Sequence, residues 1–129
     1  VFSKSKISGV DAVGSLEEYH QFIQTNRDKI ETVYIIGGAS IYSMFLEAGL
    51  VSEVIATVFY TKTNDKIQAD TYFPVSYLDK FTKMPKKDFI GEDEKYSANV
   101  EYYKYKILFK KKIKIFKIHL QIYYLNIII

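Results

Sequence analysis

The segment VYIIGGASIY, residues 33–42, constrains the fold of this chain more than any other stretch. Val33 to Ile36 is a short, wholly apolar run, as a central strand covered on both faces requires. Gly37-Gly38 break it. Ala39 to about Ala48 reads as a helix, with Ile41, Phe45 and Leu46 inward and Gly49 as its stop. A strand that feeds a glycine turn and then a helix start leaves helix N–H groups without partners. It also aims the positive end of the helix dipole at the turn, where a phosphate can sit. A Gly-Gly pair by itself is also an ordinary turn that only needs small residues, so the position in the chain carries this reading. The usual dinucleotide fingerprint is not met, because GGASIY lacks the third Gly of G-x-G-x-x-G, and no G-x-x-x-x-G-K-S/T occurs.

The flanking segments predict an α/β open sheet with antiparallel C-terminal strands. Val1-Phe2-Ser3 reads as the end of a strand, and residues 4–14 as a loop punctuated by Gly9 and Gly14. Ser15-Leu16-Glu17-Glu18 is a capping-box pattern opening a helix to about Thr25, with Leu16, Tyr19 and Ile23 on one face and Phe22 beside them. Glu53 to Tyr60 is a second strand, rich in β-branched and aromatic residues. It is expected to lie next to Val33–Ile36, since one helix joins the two. Residues 61–69 form a polar loop before ADTYFP at 69–74. Residues 79–86 and 98–106 pair around a turn expected at Gly91.

Composition narrows the function classes. At 129 residues the chain is at most one domain, and with 48% hydrophobic residues, 12 Tyr and 9 Phe it can build a core. There are no cysteines, so disulfides, thiolate metal sites and Cys nucleophiles are excluded, and a reducing compartment is compatible. His20 and His119 have no metal-ligand spacing around them. All 15 acids lie at or before Glu101, while residues 107–129 hold five Lys and no acid, so residues 1–106 carry a net charge of −2. The net +3 of the whole chain therefore comes from the tail and is weak ground for a nucleic-acid partner. No signal-peptide pattern opens the chain. The tail, ILFKKKIKIFKIHLQIYYLNIII, has eight Ile and no Gly, Pro, Ser, Asp or Glu. It reads as a low-complexity extension outside the domain core. A membrane-surface segment and an additional packed element are the alternatives, and its apolar stretches are too short to span a bilayer.

IIGGASIY, the strand EVIATVF and ADTYFP, at their spacing here, resemble the second half of dihydrofolate reductase. The resemblance covers residues 1–106 as a partial domain and leaves 107–129 as an unmatched tail. It implies a three-layer open sheet, incomplete in this chain. It also implies NADPH as cofactor, dihydrofolate as small-molecule substrate, and a cytoplasmic enzyme of one-carbon metabolism with no nucleic-acid or membrane partner.

Several positions acquire roles from the resemblance. Gly37, Gly38, Ala39, Ser40 and Ile41 would wrap the cofactor pyrophosphate with backbone N–H groups, across a cis peptide between the two glycines. Ile36 would border the nicotinamide and the pterin, and Tyr42 would reach toward both. Thr57 would support the catalytic carboxylate from the sheet. Ser3 and Lys4 would lie at the adenosine end, the cation near the 2′-phosphate. Asp70, Thr71 and Phe73 would hold a loop and strand start. Each has a plainer reading: Tyr42 as core, Thr57 as a β-branched strand residue, Lys4 as a solvated side chain, Asp70 as a turn or cap. The family's pterin-binding Asp or Glu and its Trp-containing segment have no counterpart here, so this chain is expected to be an incomplete and poorly active copy. The alternatives are the related reductase domain of riboflavin synthesis, which FLEAGLVSEV at 45–54 would suit, and a non-catalytic fragment.

Overall fold

The computed structural model describes residues 1–63, 68–106 and the backbone of 116–120. Two compact units form, Val1–Glu31 and Thr32–Ile129.

The first unit is a loop and a helix. Phe2 and Val13 make a single parallel bridge, closed by Ser3 N–H donating to the Val13 carbonyl at 2.9 Å. The strand expected at Val1–Ser3 is reduced to that bridge. Helix α1, Leu16–Thr25, begins where its cap says it should. The Ser15 hydroxyl accepts the Glu18 N–H at 3.2 Å, and the Glu18 carboxylate reaches back to the Gly14 N–H at 2.7 Å. Two orphan donors at the helix start are satisfied in this way. Tyr19 is the buried residue of α1, and burial pushes its phenol up to about 12.

The second unit is α/β, an open and incomplete sheet with α2 in its first crossover. In chain order it holds β1 Val33–Ile35, α2 Ala39–Glu47, β2 Glu53–Thr61, a 3₁₀ helix Val75–Lys80, β3 Phe81–Glu92, β4 Tyr96–Tyr105 and β5 Phe116–Leu120. The strand order is β1-β5-β2-β4-β3. β2 alternates buried Val54, Ala56 and Val58 with half-buried Ile55, Thr57 and Phe59, the period of a strand with one face in the core. α2 buries Tyr42, Phe45 and Leu46 and stops at Gly49, whose φ of +68° favours glycine.

Four expectations are corrected. First, β1 and β2 are not neighbours: β5 runs parallel to both, with Ile118 opposite Ile35 on one side and Val54 on the other. Two parallel strands joined by a helix leave room for a third strand between them, and here residues 116–120 take that place. Those five residues therefore depart from the reading of 107–129 as lying outside the core; the rest of that segment lies outside the described residues. Second, the β3–β4 turn is not at Gly91. Asp93 makes it, its carboxylate accepting the Lys95 and Tyr96 N–H groups at 2.7 Å each, which also holds its pKa below the usual range. Gly91 sits instead at a register shift inside β3. Third, ADTYFP leads into the 3₁₀ helix rather than directly into a strand. Fourth, the strand at 33–36 is not central and covered on both faces: among the described strands β1 is at the sheet edge, and Tyr34 is exposed.

The central place of β5 generates a prediction. Ile118→Pro removes a ladder donor from a strand paired on both sides. It should lower stability by about 2–3 kcal/mol, read as a fall in the urea midpoint by far-ultraviolet circular dichroism. An unchanged midpoint would show that the β1-β5-β2 pairing contributes nothing.

Candidate functional site

The site is built where β1 ends. β1 buries Ile35 and turns Tyr34 outward, and the chain then leaves the sheet through Ile36, which is 81% exposed. The Gly37–Gly38 peptide is cis, as the resemblance implied. Gly37 has φ +117°, in the region that L side chains rarely adopt. A Cβ there would also stand 3.0 Å from the Tyr42 hydroxyl oxygen and 3.3 Å from its ring. Tyr42, one turn along α2, therefore crowds the glycine, and a side chain at 37 would be strained both by the backbone and by this approach.

Gly38 is different. It is the N-cap of α2, exposed, and a Cβ at 38 would meet nothing within 4 Å. The first intrahelical bond of α2 runs from the Tyr42 N–H to the Gly38 carbonyl at 3.0 Å. The N–H groups of Ala39, Ser40 and Ile41 thus have no acceptor within the helix. Gly38 supplies no capping side chain, and the first turn contains no acid. Three backbone donors without helix acceptors stand at the positive end of a helix, next to a glycine with room at its Cβ position, which suits a phosphate oxygen.

Phe73 joins this group from the ADTYFP segment. Its ring meets that of Tyr42 edge-on, with centroids 6.0 Å apart and planes at 70°. The two most informative sequence blocks therefore touch through an aromatic pair. Asp70 and Thr71 are exposed on the loop before it.

Thr57 is half-buried in the middle of β2, opposite Val100 of β4. By strand alternation it shares a face with Ile55 and Phe59, away from buried Val54, Ala56 and Val58. Ser3 and Lys4 belong to the first unit. Ser3 is half-buried and its hydroxyl accepts the Ser5 N–H at 3.2 Å, and Lys4 is exposed. The structure thus brings Ile36, Gly37, Gly38, Ala39, Ser40, Ile41 and Tyr42 into one turn with Phe73, and places Thr57 on the sheet.

Sequence reasoning missed one group. Among the described residues Glu101 is the buried charged residue, and its row of β4 faces Ala56, not Thr57. Its signal was a lone acid among the strand residues ANVEYYKY. No grouping of three or more His, Cys, Asp or Glu among the described residues could hold a metal ion. No helix among them is long and apolar enough to cross a membrane.

A strand, a glycine turn into a helix start, and an aromatic pair beside it make this unit an α/β protein with an uncapped helix at the end of its first strand. Comparison with known proteins makes this specific. The family model described as dihydrofolate reductase matches residues 1–106, and the chain belongs to that family. A protein named dihydrofolate reductase from Candida albicans is 37% identical over 68 residues, covering 49% of this chain and 34% of the relative. The chain thus spans about a third of the length of the curated relative it matches. These findings favour dihydrofolate reductase over the riboflavin-pathway reading.

The geometry separates the two glycines experimentally. Gly37→Ala should destabilise the chain by about 1–3 kcal/mol, from its positive φ and the approach of Tyr42. Gly38→Ala should change stability by about 0.5 kcal/mol or less. Urea titration of both variants checks this; equal losses at the two positions would contradict it.

Proposed function

We propose that this chain carries the cofactor side of a site for NADPH-dependent reduction of dihydrofolate to tetrahydrofolate, in the cytoplasm and with no nucleic-acid or membrane partner. The observation that carries the proposal is the room at the Cβ position of the N-cap Gly38, beside the uncapped helix start of Ala39, Ser40 and Ile41. A dinucleotide pyrophosphate fits such a place, because it needs close approach to backbone and several donors at once.

In this reading Gly37, Gly38, Ala39, Ser40 and Ile41 wrap the pyrophosphate. The exposed Ile36 offers apolar surface to the nicotinamide and pterin rings, and the Gly37 geometry keeps the backbone in place under Tyr42. Tyr42, buried and backed by Phe73, borders the same rings. Thr57 supports a carboxylate from the sheet. Ser3 and Lys4 take the adenosine end, where Lys4 favours a 2′-phosphate. NADPH, when bound, supplies the hydride; the protein supplies orientation and electrostatics.

The same reading includes low turnover by these 129 residues alone. A pterin needs an ionisable acid to orient it and to move a proton. Among the described residues the buried carboxylate is Glu101, committed to three other side chains and in a row facing away from Thr57.

Equilibrium titration with NADPH tests the cofactor reading. Gly38→Ala should weaken binding about tenfold or more, a loss of ~1.4 kcal/mol, while leaving the unfolding midpoint in place. Lys4→Ala should narrow the preference for NADPH over NADH. With dihydrofolate present, NADPH absorbance should fall only slowly. Unaltered affinity in Gly38→Ala would remove the pyrophosphate assignment, and rapid turnover would remove the low-activity claim.

A further inference from the structure

The cofactor-side reading leaves one strongly built feature unused. Glu101 lies mid-strand in β4 at 2% exposure. Its row contains Ala56 on β2 and Lys87 on β3. The Tyr60 hydroxyl donates to carboxylate Oε1, and the Tyr103 hydroxyl donates to Oε2 at 2.9 Å. Lys83 Nζ lies 2.9 Å from that same Oε2. Both oxygens are engaged, and the donors come from β2, β3 and β4.

The position of Lys83 adds a second observation. Lys83 pairs with Tyr103 and Lys87 pairs with Glu101, so four steps along β3 run against two along β4. The surplus residues include Pro85, which donates no ladder bond. β3 is an edge strand, so nothing on its other side corrects this irregularity among the described strands. The Lys83–Glu101 ion pair spans it.

We propose that Glu101 is a proton-sensitive lock on the β2-β4-β3 register: ionised, it gathers Tyr60, Tyr103 and Lys83 across three strands, and protonated, it releases the bulged edge strand β3. An ionised carboxylate accepts at both oxygens and attracts the lysine. A protonated one accepts in the same way at only one oxygen, forces a tyrosine hydroxyl to turn from donor to acceptor, and no longer balances the Lys83 charge. Glu101 is the buried member, and Lys83 is half exposed, so the cost falls on the rearranged hydrogen bonds of the carboxyl itself.

The titratable groups facing Glu101 from these strands are Tyr60 on β2, Tyr103 on its own strand, and Lys83 and its register partner Lys87 on β3. Burial works to raise the Glu101 pKa. The hydrogen bonds from Tyr60, Lys83 and Tyr103, with the charge of Lys83, outweigh it and hold the carboxyl below its ordinary value. Burial, and then Glu101 itself, push Tyr60 up to about 12 and Tyr103 well above the usual phenol range, so both remain donors at neutral pH. Because the folded-state carboxyl is the stronger acid, its contribution is complete above the unfolded glutamate range and declines as pH falls through the folded value. The loss therefore begins below about pH 5.

Urea unfolding of the full chain from pH 7 downward tests the lock. Glu101→Gln should lower the folding equilibrium constant at pH 7 by roughly ten- to hundredfold and flatten the acid limb of the wild-type profile. Glu94→Gln, at an exposed position in the β3–β4 turn, should do neither. A Glu101→Gln variant with wild-type stability at pH 7, or with the wild-type acid slope, would overturn the proposal. If that variant does not fold, the wild type still decides. The Glu101 side-chain carbon resonance and the amide exchange of β3 are followed together over the same pH range. A carboxyl midpoint below the ordinary glutamate range, with β3 exchange rising through it, supports the lock. A midpoint within or above that range, or β3 exchange that ignores it, refutes it.

Discussion

The backbone ladder of β2 is the constraint on which the larger unit depends. Nine consecutive residues, Glu53 to Thr61, pair with β4 on one side, and Glu53 to Ala56 pair with β5 on the other. A one-residue slip in that register would move Val54, Ala56 and Val58 out of the core and Thr57 into it. It would also separate Glu101 from Tyr60. The placement of the sheet residue assigned to the site, the burial of the core and the closure of the carboxylate cluster are thus one geometric fact seen from three sides.

Two solutions to local backbone problems depend on glycine in opposite ways. At Gly37 the positive φ and the approach of the Tyr42 hydroxyl disfavour any side chain, so glycine there serves the backbone geometry of the turn. At Gly38 there is room: among the described residues nothing lies within 4 Å of a Cβ built there. A glycine beside three N–H groups that lack helix partners lets an oxyanion approach the backbone closely. That contrast is the structural content behind the cofactor-side assignment.

Much of this was legible in the residues. The apolar run 33–36 announced a strand but not its place, since among the described strands β1 lies at the sheet edge with Tyr34 and Ile36 exposed. Ser15 and Glu18 announced α1, and Gly49 stopped α2, because each of these signals is local and chemically specific. The turn before β4 was misplaced because Gly91 looked like the stronger punctuation, whereas the Asp93 carboxylate captures two N–H groups and makes the turn without glycine. β5 was not legible. Its Ile/Lys pattern has neither a clear period nor a turn before it, and parallel pairing with two distant strands leaves no local trace. Glu101 was missed because alternation alone reads an acid in a strand as solvent-facing; only the convergence of Tyr60, Tyr103 and Lys83 from three strands makes its burial tolerable.

The central functional claim is that the turn after β1 receives the cofactor pyrophosphate through its backbone. Amide chemical shifts of the full chain during NADPH titration test this most directly. The account predicts saturable shifts concentrated at Gly38, Ala39, Ser40 and Ile41, reproduced in part by inorganic pyrophosphate. Saturable shifts elsewhere that leave these four amides unmoved would contradict it.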